Sequence, residues 1–255
     1  PKTKFVAIQN GIRANYSGYP SLGFFDQLSI AIKGEKLSAD HFCAFGDAAA
    51  AQISRYIQWE PISIGSLKNN LFVSPEITET ASYEVVLISQ YPPFPVDDVS
   101  RGIYFGEDFI SLTDFYRIES IVARLVAQYC ASNSLSFTVC GKRDNTKADE
   151  FKFFEESIGS LPWSFKPRTS TYSTYEIANA AKIVVSIDST VGQEFLARGK
   201  RVALMSGRTQ SADPVGLAQV RDTNFGYPLD LSPTGKFWTN QATATELARI
   251  LDYLE

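Results

Sequence analysis

Apolar positions in this chain fall into short β-branched runs, and most runs are followed by a stretch with helical spacing. Runs at 5–8, 41–45, 83–89, 182–188 and 201–205 have the length and composition of buried strands, and 137–140 and 163–166 read as strands as well, the latter short. Residues 48–57, 115–132, 148–158, 173–181, 190–198 and 243–254 place apolar side chains on one stripe and predict helices. The clearest stripe joins Ile118, Ile121, Val122, Leu125, Val126 and Tyr129. Asp47 is a plausible cap for the helix beginning at 48. Ser173 with Glu176 three residues on has the spacing of a capping box. Strand alternating with helix from residue 83 onward means a parallel sheet covered on both faces. The segment 28–32 reads as a strand or one helical turn, and "PISIGSLKNN" as a short strand ending in a Gly-Ser turn. The stretches 101–114 and 207–240 show no assignable period. The polar segment "SPEITETAS" reads as a linker between an N-terminal α/β domain, 1–78, and a larger one, 83–255.

The segment 182–206, "KIVVSIDSTVGQEFLARGKRVALMS", organises the larger domain. A buried run ends in Asp188, Ser189 and Thr190, each able to cap a helix. Val191, Phe195 and Leu196 share one side of the helix that follows, and Gly199 is placed to end it in a left-handed conformation. A second buried run comes next. Loops this short make the two strands parallel and the crossover right-handed. Ligands of open α/β sheets sit at the carboxyl ends of the strands, which puts Asp188, Ser189, Thr190 and Gly192 at a ligand site. Hydroxyls and helix-start amides there suit a phosphate. The plainer alternative is an N-cap with a glycine that permits tight packing.

Other strand ends carry further candidates. Gln90 and Tyr91 follow the run at 83–89 and can line a cleft, or simply begin a polar loop. Lys142 and Arg143 follow the run at 137–140, where cations can neutralise a diphosphate, or form a solvated basic turn. Gln9 and Asn10 end the first run, and Gly11 permits a sharp turn into a long loop. Tyr16, Tyr19 and Phe24 in that loop are aromatic enough to stack on sugars.

Charge and composition narrow the chemistry. The 255 residues carry a net charge of -4, which argues against a nucleic-acid partner. The one histidine, His41, excludes a multi-histidine metal site. The three cysteines have no metal-type spacing and suit reduced, buried thiols of a cytosolic protein. No run of about 18 apolar residues exists to span a bilayer, and no signal peptide is expected. The chain opens at Pro1 and enters a strand almost at once, so native residues are expected to precede it.

The stretch "STYEIANAAKIVVSIDSTVGQEFLARGKRVAL" resembles the donor-binding C-terminal domain of two-domain (GT-B) glycosyltransferases, especially those of bacterial surface and capsule polysaccharide biosynthesis. The family's "S-T-x-G-x-E" turn and "A-R-G-K" are both present. "IQNGIRANY" is similar to that group's "IQHG" strand end, with Asn10 in place of histidine. "ADHFCAFGD" and "IGSLKNN" resemble its following strand, helix and "G-S" turn. The resemblance implies a GT-B-like α/β fold with Rossmann-like parallel sheets and a reduced or truncated N-terminal domain. It implies a metal-independent glycosyltransferase that moves a sugar from a nucleotide-sugar donor to a glycan or lipid-linked glycan acceptor. The nucleotide-sugar is a co-substrate, and no cofactor is required. Donor residues would be Gln90, Lys142, Arg143, Asp188, Ser189, Thr190, Gly192 and Glu194, the last accepting from ribose hydroxyls. Gln9, Asn10 and Gly11 would face the acceptor. An inverting transferase needs a base for the acceptor hydroxyl, and the candidates are Asp26 and His41, the latter with Asp40. A cytoplasmic location is expected, with peripheral contact at the inner face of the membrane left open. A nucleotide-sugar 2-epimerase and a non-catalytic nucleotide- or glycan-binding module are the alternatives.

Overall fold

Six strands, the central ones rich in β-branched residues, build one parallel sheet in the larger part of this chain, as a computed structural model shows. The structure describes residues 3–9, 32–33, 35–73, 82–92, 100–105, 108–144, 148–207 and 234–255. The chain divides into two compact units, Pro1–Val73 and Ser74–Glu255.

In the first unit, β1 (Val6–Ile8), β2 (His41–Ala44) and β3 (Ile62–Ser63) form a parallel sheet in that order. Helix α1 (Asp47–Ile53) follows β2, and Ile53 packs with Ile57, Phe42 and Tyr56. The helix starts one residue before the expected position. Gly46 is the cap, and Asp47 lies in the first turn, where the helix dipole favours a carboxylate. Gly65, at φ 75°, turns the chain into α2 (Leu67–Leu71), whose first turn is capped by the Ser66 hydroxyl accepting from the Asn69 N–H.

In the second unit the strands are β4 (Tyr83–Ile88), β7 (Phe137–Asp144), β8 (Ser164–Arg168), β9 (Ala181–Ser186), β10 (Val202–Met205) and β11 (Trp238–Thr239). Across the sheet they run β11-β10-β9-β4-β7-β8, every pair parallel. Numbered by order along the chain, that is 6-5-4-1-2-3, the doubly wound arrangement. An antiparallel hairpin, β5 (Gly102–Phe105) with β6 (Asp108–Ser111), lies between β4 and α3 (Leu112–Ser132). The other helices are α4 (Ala148–Ile158), α5 (Ser173–Asn179), α6 (Thr190–Ala197) and α7 (Ala244–Leu254). Side chains alternate between the faces of each strand. Val85, Leu87, Val139, Ile183 and Val185 meet α3, α4 and α7 through Ile118, Val122, Val126, Phe154, Leu247 and Ile250. Helices α5 and α6 pack on β4, β9 and β10, and bury Tyr175, Ala178 and Phe195.

The expected parallel sheet covered on both faces is therefore present. Two details differ. Ser173 is not a cap but the first helical residue. Its hydroxyl accepts from the N–H groups of Thr169 and Ser170, and Tyr172 holds the cap position, its side chain making no capping bond to the helix. The sixth strand, β11, is only two residues long, too short to show a period. All three cysteines are thiols, and burial pushes those of Cys130 and Cys140 up to about 12. No helix among the described residues is long and apolar enough to cross a membrane.

Two glutamates are expected to make stability depend on acid pH. The Ser136 amide donates to the Glu84 carboxylate and lowers its pKa, and hydrogen bonding from Arg249 does the same for Glu246. A carboxylate whose folded pKa lies below its unfolded one stabilises above the unfolded value and ceases to do so as pH falls through the folded one. Thermal melts between pH 6 and 3 are expected to lose stability below the ordinary glutamate range. Glu84→Gln should flatten that acid limb, and an unchanged slope would contradict this.

Candidate active site

The strand order reverses between β4 and β9, and a doubly wound sheet opens a crevice beyond the carboxyl ends of the strands at such a point. Four of the residue groups chosen from sequence converge there. Gln90 and Tyr91 leave β4, Asp188 and Ser189 leave β9, and α6 starts at Thr190. Lys142 and Arg143 lie near the carboxyl end of β7, the neighbour of β4. The Arg143 guanidinium sits over the Tyr91 ring, 5.9 Å from its centroid, so these two strand ends are in direct contact.

The amino end of α6 carries no side-chain cap. Ser189 occupies the cap position in extended conformation, and its hydroxyl makes no capping bond. The N–H groups of Gly192 and Gln193 both turn back to the Ser189 carbonyl, at 3.0 and 3.4 Å. Such a helix start keeps its positive end directed outward. The opposite end is closed as expected. Gly199 adopts φ 78°, its N–H donates to the Leu196 carbonyl, and the Lys200 N–H donates to that of Phe195. This is the paired bonding of a Schellman motif.

Gly192 has a packing task. A Cβ built on it would lie 2.3 Å from the Ser186 Oγ and 2.4 Å from its Cβ, so its lack of a side chain lets α6 approach β9. The Ser186 hydroxyl is buried and has no hydrogen-bond partner among the described residues. On the other side of the β9 exit, the Ser206 hydroxyl donates to the Ile187 carbonyl at 2.8 Å and fixes the turn that carries Asp188.

Glu194 is buried rather than displayed on a surface helix face. The Tyr175 hydroxyl donates to its Oε2, and burial, with that bond, pushes the Tyr175 pKa well above the ordinary phenol range. Tyr175→Phe would leave a buried carboxylate without this donor. A loss of about 1–3 kcal/mol is expected in thermal or denaturant unfolding, and an unchanged melting point would contradict it.

Three residues at this site are not singled out by the sequence. Glu119 on α3 and Glu150 on α4 are both fully buried. The Gln90 N–H donates to Glu119 at 3.4 Å. Glu150 accepts from the Ser89 hydroxyl at 2.5 Å and from the N–H groups of Lys142 and Arg143 at 2.9 and 3.2 Å. The available signal for Glu119 is a charged residue inside an apolar stripe. For Glu150 and Ser89 it is only an acid in a first helical turn and a serine at the end of an apolar run.

The first unit holds the remaining candidates. Asn10, Gly11 and Asp26 lie outside the described residues. Gln9 follows β1, where its side-chain oxygen accepts from the Phe45 N–H at 2.9 Å, tying together the carboxyl ends of β1 and β2. His41 opens β2 and pairs in register with Val6 at the amino end of the same sheet. Asp40 accepts from the Phe5 N–H at 2.7 Å. Parallel strands thus place Gln9 and His41 at opposite edges, and the sheet does not bring them together. Among the described residues, no cluster of His, Cys, Asp and Glu is arranged to hold a metal ion.

A family model described as "putative O-antigen biosynthesis protein" matches residues 6–255. No curated protein matches the chain. Among solved structures, the E. coli heptosyltransferase WaaC, determined with ADP-2-deoxy-2-fluoro heptose, is similar at 14% sequence identity and a TM-score of 0.38. That similarity covers 84% of this chain and 58% of the heptosyltransferase, so the chain spans less than two thirds of its length.

Proposed function

Since the chain belongs to this O-antigen biosynthesis family over residues 6–255, we propose that it is a glycosyltransferase of GT-B type that moves a sugar from a nucleotide-activated donor to a glycan acceptor in surface polysaccharide synthesis. The observation that supports this best is the switch point of the 6-5-4-1-2-3 sheet, where an uncapped helix start and a cationic strand end share one edge.

The chemistry follows from charge. Glycosyl transfer from a nucleotide-sugar breaks the bond between the anomeric carbon and a phosphate oxygen, and negative charge builds on the departing diphosphate. Preorganised donors at that position lower the barrier because they need no reorganisation as the charge develops. In the proposed arrangement, the α6 amides and the Ser189 and Thr190 hydroxyls hold one phosphate, and Lys142 and Arg143 neutralise the other. Gln90 lines the crevice. Asp188 and Glu194 orient the nucleoside, with Glu194 offering ribose the carboxylate oxygen opposite its Tyr175 bond. Gln9, Asn10 and Gly11 face the acceptor. Asp26 is the proposed base for the acceptor hydroxyl; His41, at the opposite edge of the sheet from Gln9, is not placed to serve as one. Nucleotide-sugars are made in the cytoplasm, so the proposed location is cytoplasmic, at the inner membrane face where the acceptor is lipid-linked.

Calorimetric titration with uridine, guanosine and thymidine diphosphates and cytidine monophosphate tests this proposal. One of them is expected to bind, and Arg143→Ala should weaken it about 10–100-fold, the worth of one charge-assisted hydrogen bond. No binding by any member of the panel would overturn the proposal. Binding without turnover on any donor would reduce the protein to a nucleotide-binding module.

A further inference from the structure

Strand β7 contains an irregularity that the proposed chemistry leaves unexplained. Its register with β8 pairs Cys140 with Lys166 and Asp144 with Arg168, so the ladder shifts between these pairs. On the other side, pairing with β4 ends at Cys140. The amides of Lys142 and Arg143 therefore leave the ladder while Cys140 and Asp144 on either side stay in it. Bulges of this kind re-aim side chains beside active sites. A displaced amide still needs an acceptor, and here one side chain serves both. Glu150 reaches back from the first turn of α4 and accepts from each.

The same carboxylate also governs the facing strand end. It accepts from the Ser89 hydroxyl, whose oxygen in turn accepts from the Tyr91 N–H at 3.1 Å. Tyr91 is backed by the Phe153 ring at 5.3 Å and carries the Arg143 guanidinium on its face. Both partners of the Arg143–Tyr91 stack are thus fixed by one buried group, Arg143 directly and Tyr91 through Ser89. Three donors point at this carboxyl, and its two oxygens accept from all of them. A fully buried carboxylate is costly unless every such bond is made.

We propose that Glu150 is a positioning residue, which sets the β7 bulge and the Arg143–Tyr91 stack so that the guanidinium faces the crevice at the switch point. The part of this claim that concerns anion binding rests on the nucleotide reading above. Glutamine is the informative replacement. Its carbonyl can keep the Ser89 and Lys142 bonds at Oε1, while its amide group opposes the Arg143 N–H at Oε2 and releases that residue alone.

The test compares the wild type with Glu150→Gln, Arg143→Ala and the double variant, by titration with inorganic pyrophosphate and by amide hydrogen exchange. Glu150→Gln is expected to weaken pyrophosphate binding about 10-fold or more and to speed exchange at Arg143, with the β9 amides unchanged. The double variant should bind no more weakly than Arg143→Ala, because Glu150 acts through Arg143. Additive losses, or unchanged exchange at Arg143, would overturn the proposal. Global loss of protection in Glu150→Gln would also count against it, because the group would then hold the fold rather than the stack. If the wild type binds no pyrophosphate, the nucleotide reading fails, and exchange at Arg143 alone decides whether Glu150 positions the stack.

Discussion

Replacing Gly192 by alanine is expected to destabilise the Ser74–Glu255 unit by about 1–3 kcal/mol, the usual consequence of forcing extra volume into a packed contact. The new methyl would meet Ser186 Oγ at 2.3 Å and Cβ at 2.4 Å, separations that real Cβ atoms do not tolerate. Ser186 sits in a central strand and is fully buried, so α6 must lift instead. For a unit of this size the melting point falls roughly 2–4 °C per kcal/mol, giving a drop of roughly 2–12 °C in calorimetry. Adding Ser186→Gly to the same chain removes the atoms that the new methyl would strike and should restore most of the loss. The lifted helix carries the Ser189 and Thr190 amides with it, so nucleotide affinity should fall in the single variant and recover in the double. A Gly192→Ala variant that melts like the wild type would show that α6 does not approach β9 as described.

A larger stability effect is expected from Phe195→Ala. Phe195 is fully buried beneath α6, and its ring packs against that of Tyr175 at 5.9 Å. Emptying such a site removes transfer free energy and leaves a cavity, at a cost of about 3–5 kcal/mol. The expected fall in melting point is roughly 6–20 °C. Because Tyr175 donates to Glu194, loss of the ring that supports it should also loosen the Glu194 carboxylate. Phe195→Leu keeps most of the volume and is expected to lose less than half as much. Equal losses for alanine and leucine would contradict cavity formation as the cause.

The alternation of buried runs with amphipathic stripes makes the larger unit legible from the sequence. Each of the long strands and helices depends on local spacing, and Gly199 and the uniform run before Asp188 are strong local signals. The short strand β11 and the hairpin β5–β6 are not legible, because β11 is only two residues long and β5–β6 lies in the stretch 101–114, whose sequence shows no assignable period. At the site, the strand-end residues can be found because the carboxyl-end rule needs only element order. Glu150 escapes for the opposite reason. Its role depends on a bulge in β7 and on Ser89, 61 residues earlier, a coincidence in space that no spacing along the chain encodes. Gly192 reads from sequence either as a phosphate contact or as a packing glycine, and its distance to Ser186 supplies the packing reason. His41 stands out as the one histidine, and chemical type alone does not indicate which edge of the sheet it occupies.

The switch point between β4 and β9 is the proposed binding site for a nucleoside diphosphate. Backbone amide shifts recorded while uridine or guanosine diphosphate is titrated into the labelled protein test it most directly. The largest changes are expected at Ser189 to Gly192, Gln90 and Arg143, saturating together with one affinity. Saturating changes that map to the amino ends of the strands, or no change with either nucleotide, would contradict it.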